Sequence, residues 1–239
     1  MPSWSSSINL SMRKRLLTLY QLLLDAYGEQ HWWPGANPFE VIVGAILTQR
    51  VAWANVEKAI SSLKEAGLME PQRLREAPLK KIAPLIRPCI YYNEKAKKLK
   101  AFLTFLEERY HGDLSLLLCL PVSSLRKELL FVRGIGQETA DSIILYAAGK
   151  PSFVVDAYTR RILNRLGLIE ERAKYTDIQA LFMRNLPKDA SLYNEYHALL
   201  VCHGKKCCHN TRPLCDGCPL RAMCSFPQQG TITASVKEM

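Results

Sequence analysis

No stretch of this 239-residue sequence is apolar over the length a membrane crossing needs. Its first residues, Met1-Pro2-Ser3-Trp4-Ser5-Ser6-Ser7, lack the apolar core of a secretory signal. Export is therefore not expected; a cytoplasmic protein with no membrane-embedded segment is. Strand-like alternation is missing too, as is any internal repeat, which leaves an all-α class. Acidic residues are outnumbered, 22 Asp and Glu against 32 Lys and Arg, for a net charge of +10. An excess of that size favours an anionic partner, nucleic acid or an acidic membrane surface, although an ordinary basic enzyme shares the sign. Cysteine is almost absent from the first two hundred positions, where only Cys89 and Cys119 occur, and six of the eight fall between Cys202 and Cys224. Disulfide frameworks disperse their cysteines over a small secreted chain, so a terminal cluster suggests a metal instead. The length suffices for one large or two small domains.

Helical periodicity runs almost throughout. Leu16, Leu19, Tyr20, Leu23, Leu24 and Tyr27 mark an amphipathic helix over 12–27 that Gly28 ends. His31-Trp32-Trp33-Pro34-Gly35-Ala36-Asn37-Pro38 reads as a rigid aromatic loop. Phe39, Ile42, Val43, Ile46 and Leu47 then give a helix with one buried face, broken over 47–53 and resumed by Val56, Ala59, Ile60 and Leu63. Short helices fit 72–77 and 79–86. Asn93 is placed to cap a helix reaching Tyr110. Helices are expected over 122–132 and 137–148, then an extended Ser152 to Val155. Asp156 is set to cap the next helix, and two more cover 175–186 and 189–205.

Two features carry chemistry. The first is Val132-Arg133-Gly134-Ile135-Gly136-Gln137-Glu138, where one helical pattern stops at a Gly-Ile-Gly break and another begins. Its amides, at the start of a new helix, would face outward with partial positive charge, a seat for a phosphate; many such turns are only turns. The second is Cys208, Cys215, Cys218 and Cys224, spaced C-x6-C-x2-C-x5-C. Four thiolates in so short a loop can close around zinc or around a cubane iron–sulfur cluster, and spacing alone does not choose. Cys207 precedes the first of the four but does not give the x6 interval, and Cys202 lies on an apolar helix face.

Together the hairpin Arg133-Gly134-Ile135-Gly136, the downstream Val154-Val155-Asp156 and the four-cysteine loop resemble the helix-hairpin-helix base-excision DNA glycosylases of the endonuclease III type. Asn37-Pro38-Phe39-Glu40, Tyr92-Asn93-x-Lys95-Ala96 and His203-Gly204 fit as well, so the resemblance spans about residues 12 to 224. It implies two all-α domains with a cleft between them: a six-helix barrel carrying the hairpin (30–150), and a terminal domain (1–29 with 151–239) whose loop 208–224 holds a [4Fe–4S] cluster. It also implies a monomer working on double-stranded DNA that contains a damaged base, hence association with the nucleoid.

One departure matters. Bifunctional endonuclease III enzymes place a Lys two residues after the second hairpin glycine, where its amine forms a Schiff base with the sugar; here Glu138 stands there. A carboxylate cannot form that imine, which implies base removal without strand cleavage. Glu at this position, with Trp32-Trp33-Pro34, Leu47-Thr48-Gln49 and the spacing to Trp53, is similar to the monofunctional 3-methyladenine DNA glycosylases of the superfamily. A monofunctional mismatch glycosylase for adenine, thymine or uracil, and a non-catalytic damage-binding module, are the alternatives. On this resemblance Asp156 is the catalytic carboxylate and Glu138 its companion, against plain readings as helix-start acids. Trp32 and Trp53 wall the flipped base, with Trp33 and Pro34 shaping the pocket, against a reading as core aromatics. Gln49 or Arg50 fills the gap the base leaves. Arg133, Gly134, Ile135 and Gly136 grip a phosphate, directly or through a monovalent cation. Lys205 and Lys206, with Arg212 and Arg221, border the DNA, while Lys95, Lys97 and Lys98 are phosphate contacts or a solvated face.

Overall fold

The computed structural model describes residues 4–33 and 35–226, with side chains from Met12 onward. Twelve α-helices run through them: α1 Trp4–Tyr27, α2 Pro38–Leu47, α3 Trp53–Glu65, α4 Pro71–Glu76, α5 Leu79–Leu85, α6 Tyr92–Tyr110, α7 Leu114–Cys119, α8 Val122–Phe131, α9 Gln137–Ser142, α10 Ala157–Arg165, α11 Tyr175–Asn185 and α12 Ala190–Lys206. No strand occurs among the described residues, as the missing alternation implies. Nor is any described helix long and apolar enough to cross a membrane. The chain divides into two compact units, Trp33–Ser152 and the discontinuous pair Met1–Trp32 with Phe153–Met239.

The first of these units is built around α2. Asn37 caps it by accepting from the Glu40 amide at 3.0 Å, and Pro38 occupies the first turn, where a missing N–H costs nothing. Every residue from Phe39 to Leu47 is buried, so α2 is wrapped by its neighbours and has no solvent stripe. Its last carbonyl, Leu47 O, accepts from Lys95 Nζ at 2.9 Å. Lys95 is 2 % exposed, so it is neither a phosphate contact nor part of a solvated face. Burial holds its pKa below the ordinary lysine value.

The discontinuous unit has an aromatic core. Phe153 stacks on Phe182 with centroids 3.7 Å apart, and Tyr193 and Tyr196 meet Phe153 edge-on. The Tyr196 hydroxyl donates to Leu16 O at 2.8 Å, which ties α12 to the fully buried Leu16, Leu19 and Leu23 face of α1.

Two local expectations change, and one helix is added. Helix α6 begins at Tyr92 after Tyr91, which takes a left-handed φ of 59°, so Asn93 sits inside the first turn and is not the cap. The helix expected over 137–148 is α only to Ser142 and then widens into a π segment, Ile143–Ala147, in which Ala148 donates to Ile143 O. A short helix, α7, occupies the apolar stretch before Pro121, capped by Asp113.

Candidate functional site

The hairpin joins α8 to α9. Ile135 N donates to Val132 O at 3.1 Å to close the turn, and the Ile135 side chain is buried beneath it. Gly134 has φ +92°, and a Cβ there would stand 2.5 Å from Lys98 Cγ, so only glycine suits this turn. Gly136 is different: its backbone is extended, and a Cβ would meet nothing within 4 Å. Gln137 and Glu138, which open α9, are exposed beside it. Gln49 braces the turn from the end of α2, its Nε2 donating to Gly134 O at 3.2 Å and to Thr139 Oγ1 at 3.0 Å, while its Oε1 accepts from Lys98 Nζ. Arg50, next in sequence, is exposed and held at φ +58°. Arg133 and Glu138 are also exposed. Gln49, Gly134 and Thr139 are thus drawn into one cluster.

The tryptophans divide. Trp33 meets Trp53 edge-on at 5.0 Å and Tyr146 at 4.9 Å. Gly44 makes room for both indoles, since a Cβ there would lie 3.3 Å from Trp33 and 3.4 Å from Trp53. All three aromatics stay partly exposed, with Tyr146 presented by the π segment. Trp32 belongs to the other unit, where it lies 6.0 Å from the His197 ring with Lys205 Nζ 5.9 Å from its own centroid. Pro34 lies outside the described residues.

Asp156 follows the buried segment Phe153-Val154-Val155, whose Phe153 carbonyl accepts from Gln179 on α11 at 2.8 Å. Its Oδ1 accepts from Thr159 N at 2.7 Å and caps α10. Its Oδ2 stands 3.6 Å from Nε2 of the buried His197 on α12. Burial alone would raise this carboxyl, but His197 and the Thr159 amide outweigh it and hold the pKa below the usual aspartate value. Neither His197 nor the Gln49 brace is marked by a local motif.

Cys208, Cys215, Cys218 and Cys224 line one small cavity with Cys207, His203, Arg165, Leu220 and Phe226. Arg165 Nη1 donates to Cys208 Sγ at 3.2 Å, and Arg161 holds Cys208 O and Gly204 O at 2.9 and 3.1 Å. Gly204 is required for this closeness, because a Cβ would come within 2.3 Å of Tyr158 Cδ1. Donor atoms of His203, Cys207 and Cys218 all lie within 4.8 Å of one another, so Cys207 shares the cavity that the spacing alone gave to its neighbour. Burial, and then the nearby thiols, push the Cys224 thiol up and the Cys207 thiol to about 12. Thiols that oppose one another's ionisation this way suit a cationic centre, which reverses the balance and deprotonates them. The donor set therefore fits a thiolate-bound metal group. His203 is buried against Tyr27, whose hydroxyl lies 2.9 Å from Nδ1. Burial and Arg161 lower its pKa to about 4. Lys205 and Lys206 are exposed at the end of α12, with Lys206 over the Tyr27 ring.

Comparison with known proteins places this geometry. A chain of Methanocaldococcus jannaschii named as a DNA repair glycosylase is 49% identical over 208 residues, covering 86% of this chain and 94% of that one. The fold is that of endonuclease III trapped as a covalent intermediate on DNA, with a TM-score of 0.80 at 23% identity over 92% of this chain and 98% of that one. A Helicobacter pylori 3-methyladenine DNA glycosylase bound to 1,N6-ethenoadenine matches with a TM-score of 0.69 at 28% identity, covering 83% and 97%. Residues 43–188 match the family of HhH-GPD superfamily base excision DNA repair proteins, and the chain belongs to it.

Proposed function

We propose that this glycosylase-family chain is monofunctional and removes alkylated purines, 3-methyladenine in particular, from double-stranded DNA. The observation that carries the reading is Glu138, an exposed carboxylate at the start of α9 where a lyase would present an amine. With no amine there, no imine with the sugar can form, and water becomes the nucleophile. Likeness to the Helicobacter 3-methyladenine enzyme supports the alkylated-purine class.

Such a purine is cationic and already a good leaving group, so recognition outweighs acid catalysis on the base. The indole faces of Trp33 and Trp53, and that of Trp32, are the stacking partners, a cation–π contact being worth about 0.5–2 kcal/mol. The C1′–N bond breaks with its electron pair leaving on the base. Asp156 stabilises the positive charge that develops on the sugar, and water adds to C1′ as its proton passes to the carboxylate. The hairpin, with Arg133, grips a backbone phosphate; Lys205 and Lys206 add charge; Arg50 enters the gap left by the base. The two compact units correspond to a barrel domain carrying the hairpin and a terminal domain carrying the four-cysteine loop. Cys208, Cys215, Cys218 and Cys224 would hold a [4Fe–4S] cluster, which ties that loop together and adds a one-electron redox centre.

The test is a panel of duplexes bearing methylated purines, uracil, or thymine and adenine mismatches. Release of methylated purine without strand cleavage or borohydride trapping is expected. Release of uracil or thymine instead would move the chain to the mismatch class, and trapping by the unaltered protein would overturn the monofunctional reading. Asp156→Asn should bind DNA but release base far more slowly; DNA binding with no base release by the unaltered protein from any of these duplexes would make the chain a binding module.

A further inference from the structure

We infer that His197 is a positioning residue for Asp156, holding in place the one carboxylate oxygen that the fold leaves for chemistry. The inference rests on Asp156 being the catalytic carboxylate. Its two oxygens are divided by the backbone: Oδ1 is taken by the Thr159 amide at 2.7 Å in capping α10, and Oδ2 faces His197 Nε2 at 3.6 Å. A separation of 3.6 Å is longer than an N–H···O bond, so the imidazole attracts and orients Oδ2 without saturating it. A lone pair of Oδ2 stays available for water or for charge developing on a sugar.

The surroundings fix the ring. His197 is 5% exposed on α12, one residue beyond the core Tyr196 and two before the fully buried Leu199. The Trp32 ring lies 6.0 Å from it. A buried histidine in a helix whose neighbouring side chains fill the core is costly unless its polar edge serves something. Here that edge is turned to the only side chain we assign to bond cleavage. Trp32, one of the indoles proposed for base stacking, presses on the same ring, so a stacked base and the carboxylate would share a support.

A histidine that merely fills the core predicts different kinetics from one that acts through Asp156, and a double-mutant cycle separates them. The unaltered chain, His197→Leu, His197→Gln, Asp156→Asn and Asp156→Asn/His197→Leu are compared on methylated duplex DNA, reading single-turnover release of methylated purine and, separately, DNA affinity. We expect His197→Leu to slow release about tenfold or more with affinity unchanged. His197→Gln, whose amide nitrogen reaches the position of Nε2, should recover most of the loss. In the Asp156→Asn background the Leu substitution should cost nothing further. Should His197→Leu not fold, His197→Asn replaces it, since its amide matches Nδ1 and stops short of Nε2.

Unchanged release in His197→Leu, or the same fold-loss with and without Asp156, overturns the inference. Full release by Asp156→Asn would sink the underlying assignment of Asp156. Loss in Asp156→Asn with a silent His197→Leu would sink the positioning role alone.

Discussion

Asp156 caps α10, and the proposed reaction also asks it to face a sugar, a task that needs its ionised form. Its pKa lies below the ordinary aspartate value, so the sign of its pH dependence is fixed. A depressed carboxyl stabilises the folded state fully above its unfolded value, about 3.9, and that contribution is lost as pH falls through the lower native value. Activity should follow the same group: single-turnover base release, measured from pH 8 down to pH 5, should show no acid limb from Asp156. A limb centred near pH 6 that moves in Asp156→Glu would contradict this. Gln49 and Arg50 are neighbours with opposite prospects. Gln49→Leu strips the partner from Gly134 O and Thr139 Oγ1, so thermal or denaturant unfolding should register a loss of about 1–3 kcal/mol. Arg50→Ala removes an exposed side chain, so stability should stay within about 0.5 kcal/mol, while release of base from duplex falls. Equal stability losses in the two variants would mean that the brace has been misread.

At the scale of elements, most helices were legible because 3.6-residue periodicity is a local property: α2, α3, α8, α10, α11 and α12 stand where Phe39, Val56, Leu125, Ile162, Ile178 and Tyr193 repeat. The left-handed Tyr91 before α6 and the π segment after α9 were not legible, because both answer to packing and not to composition. Sites divide in the same way. The hairpin and the cysteine loop are written in consecutive residues, whereas Gln49 meets Gly134 across 85 positions, and no local pattern announces such a contact. The hairpin glycines show how far a motif alone misleads, since it treats them as equivalent. Gly134→Ala meets both a positive φ and the Lys98 side chain, so it should lower unfolding stability by at least about 1 kcal/mol. Gly136→Ala adds a methyl into open space on extended backbone, so it should fold like the parent. If the α9 amides contact phosphate, that methyl should nevertheless weaken DNA binding in a fluorescence-anisotropy titration. Normal affinity in Gly136→Ala would place the phosphate contact elsewhere.

For the whole molecule the informative quantity is charge. A net +10 could act as a diffuse field over the surface or through a few cations at fixed places. Salt dependence tells these apart, because each phosphate neutralised contributes about −0.9 to the slope of log K against log salt on duplex DNA. The proposed phosphate contacts include three exposed cations, Arg133, Lys205 and Lys206. If these three carry the electrostatic contact, the slope should be about −3; if the entire excess is engaged, it should approach −9. Removing Lys205 and Lys206 together should reduce the slope by about 2 on undamaged and damaged duplex alike, because phosphate contacts carry no lesion information. Preference for a methylated over an undamaged duplex should therefore survive the double substitution. A fall in that preference would assign the two lysines to the base instead, as the position of Lys205 over the Trp32 ring would then require.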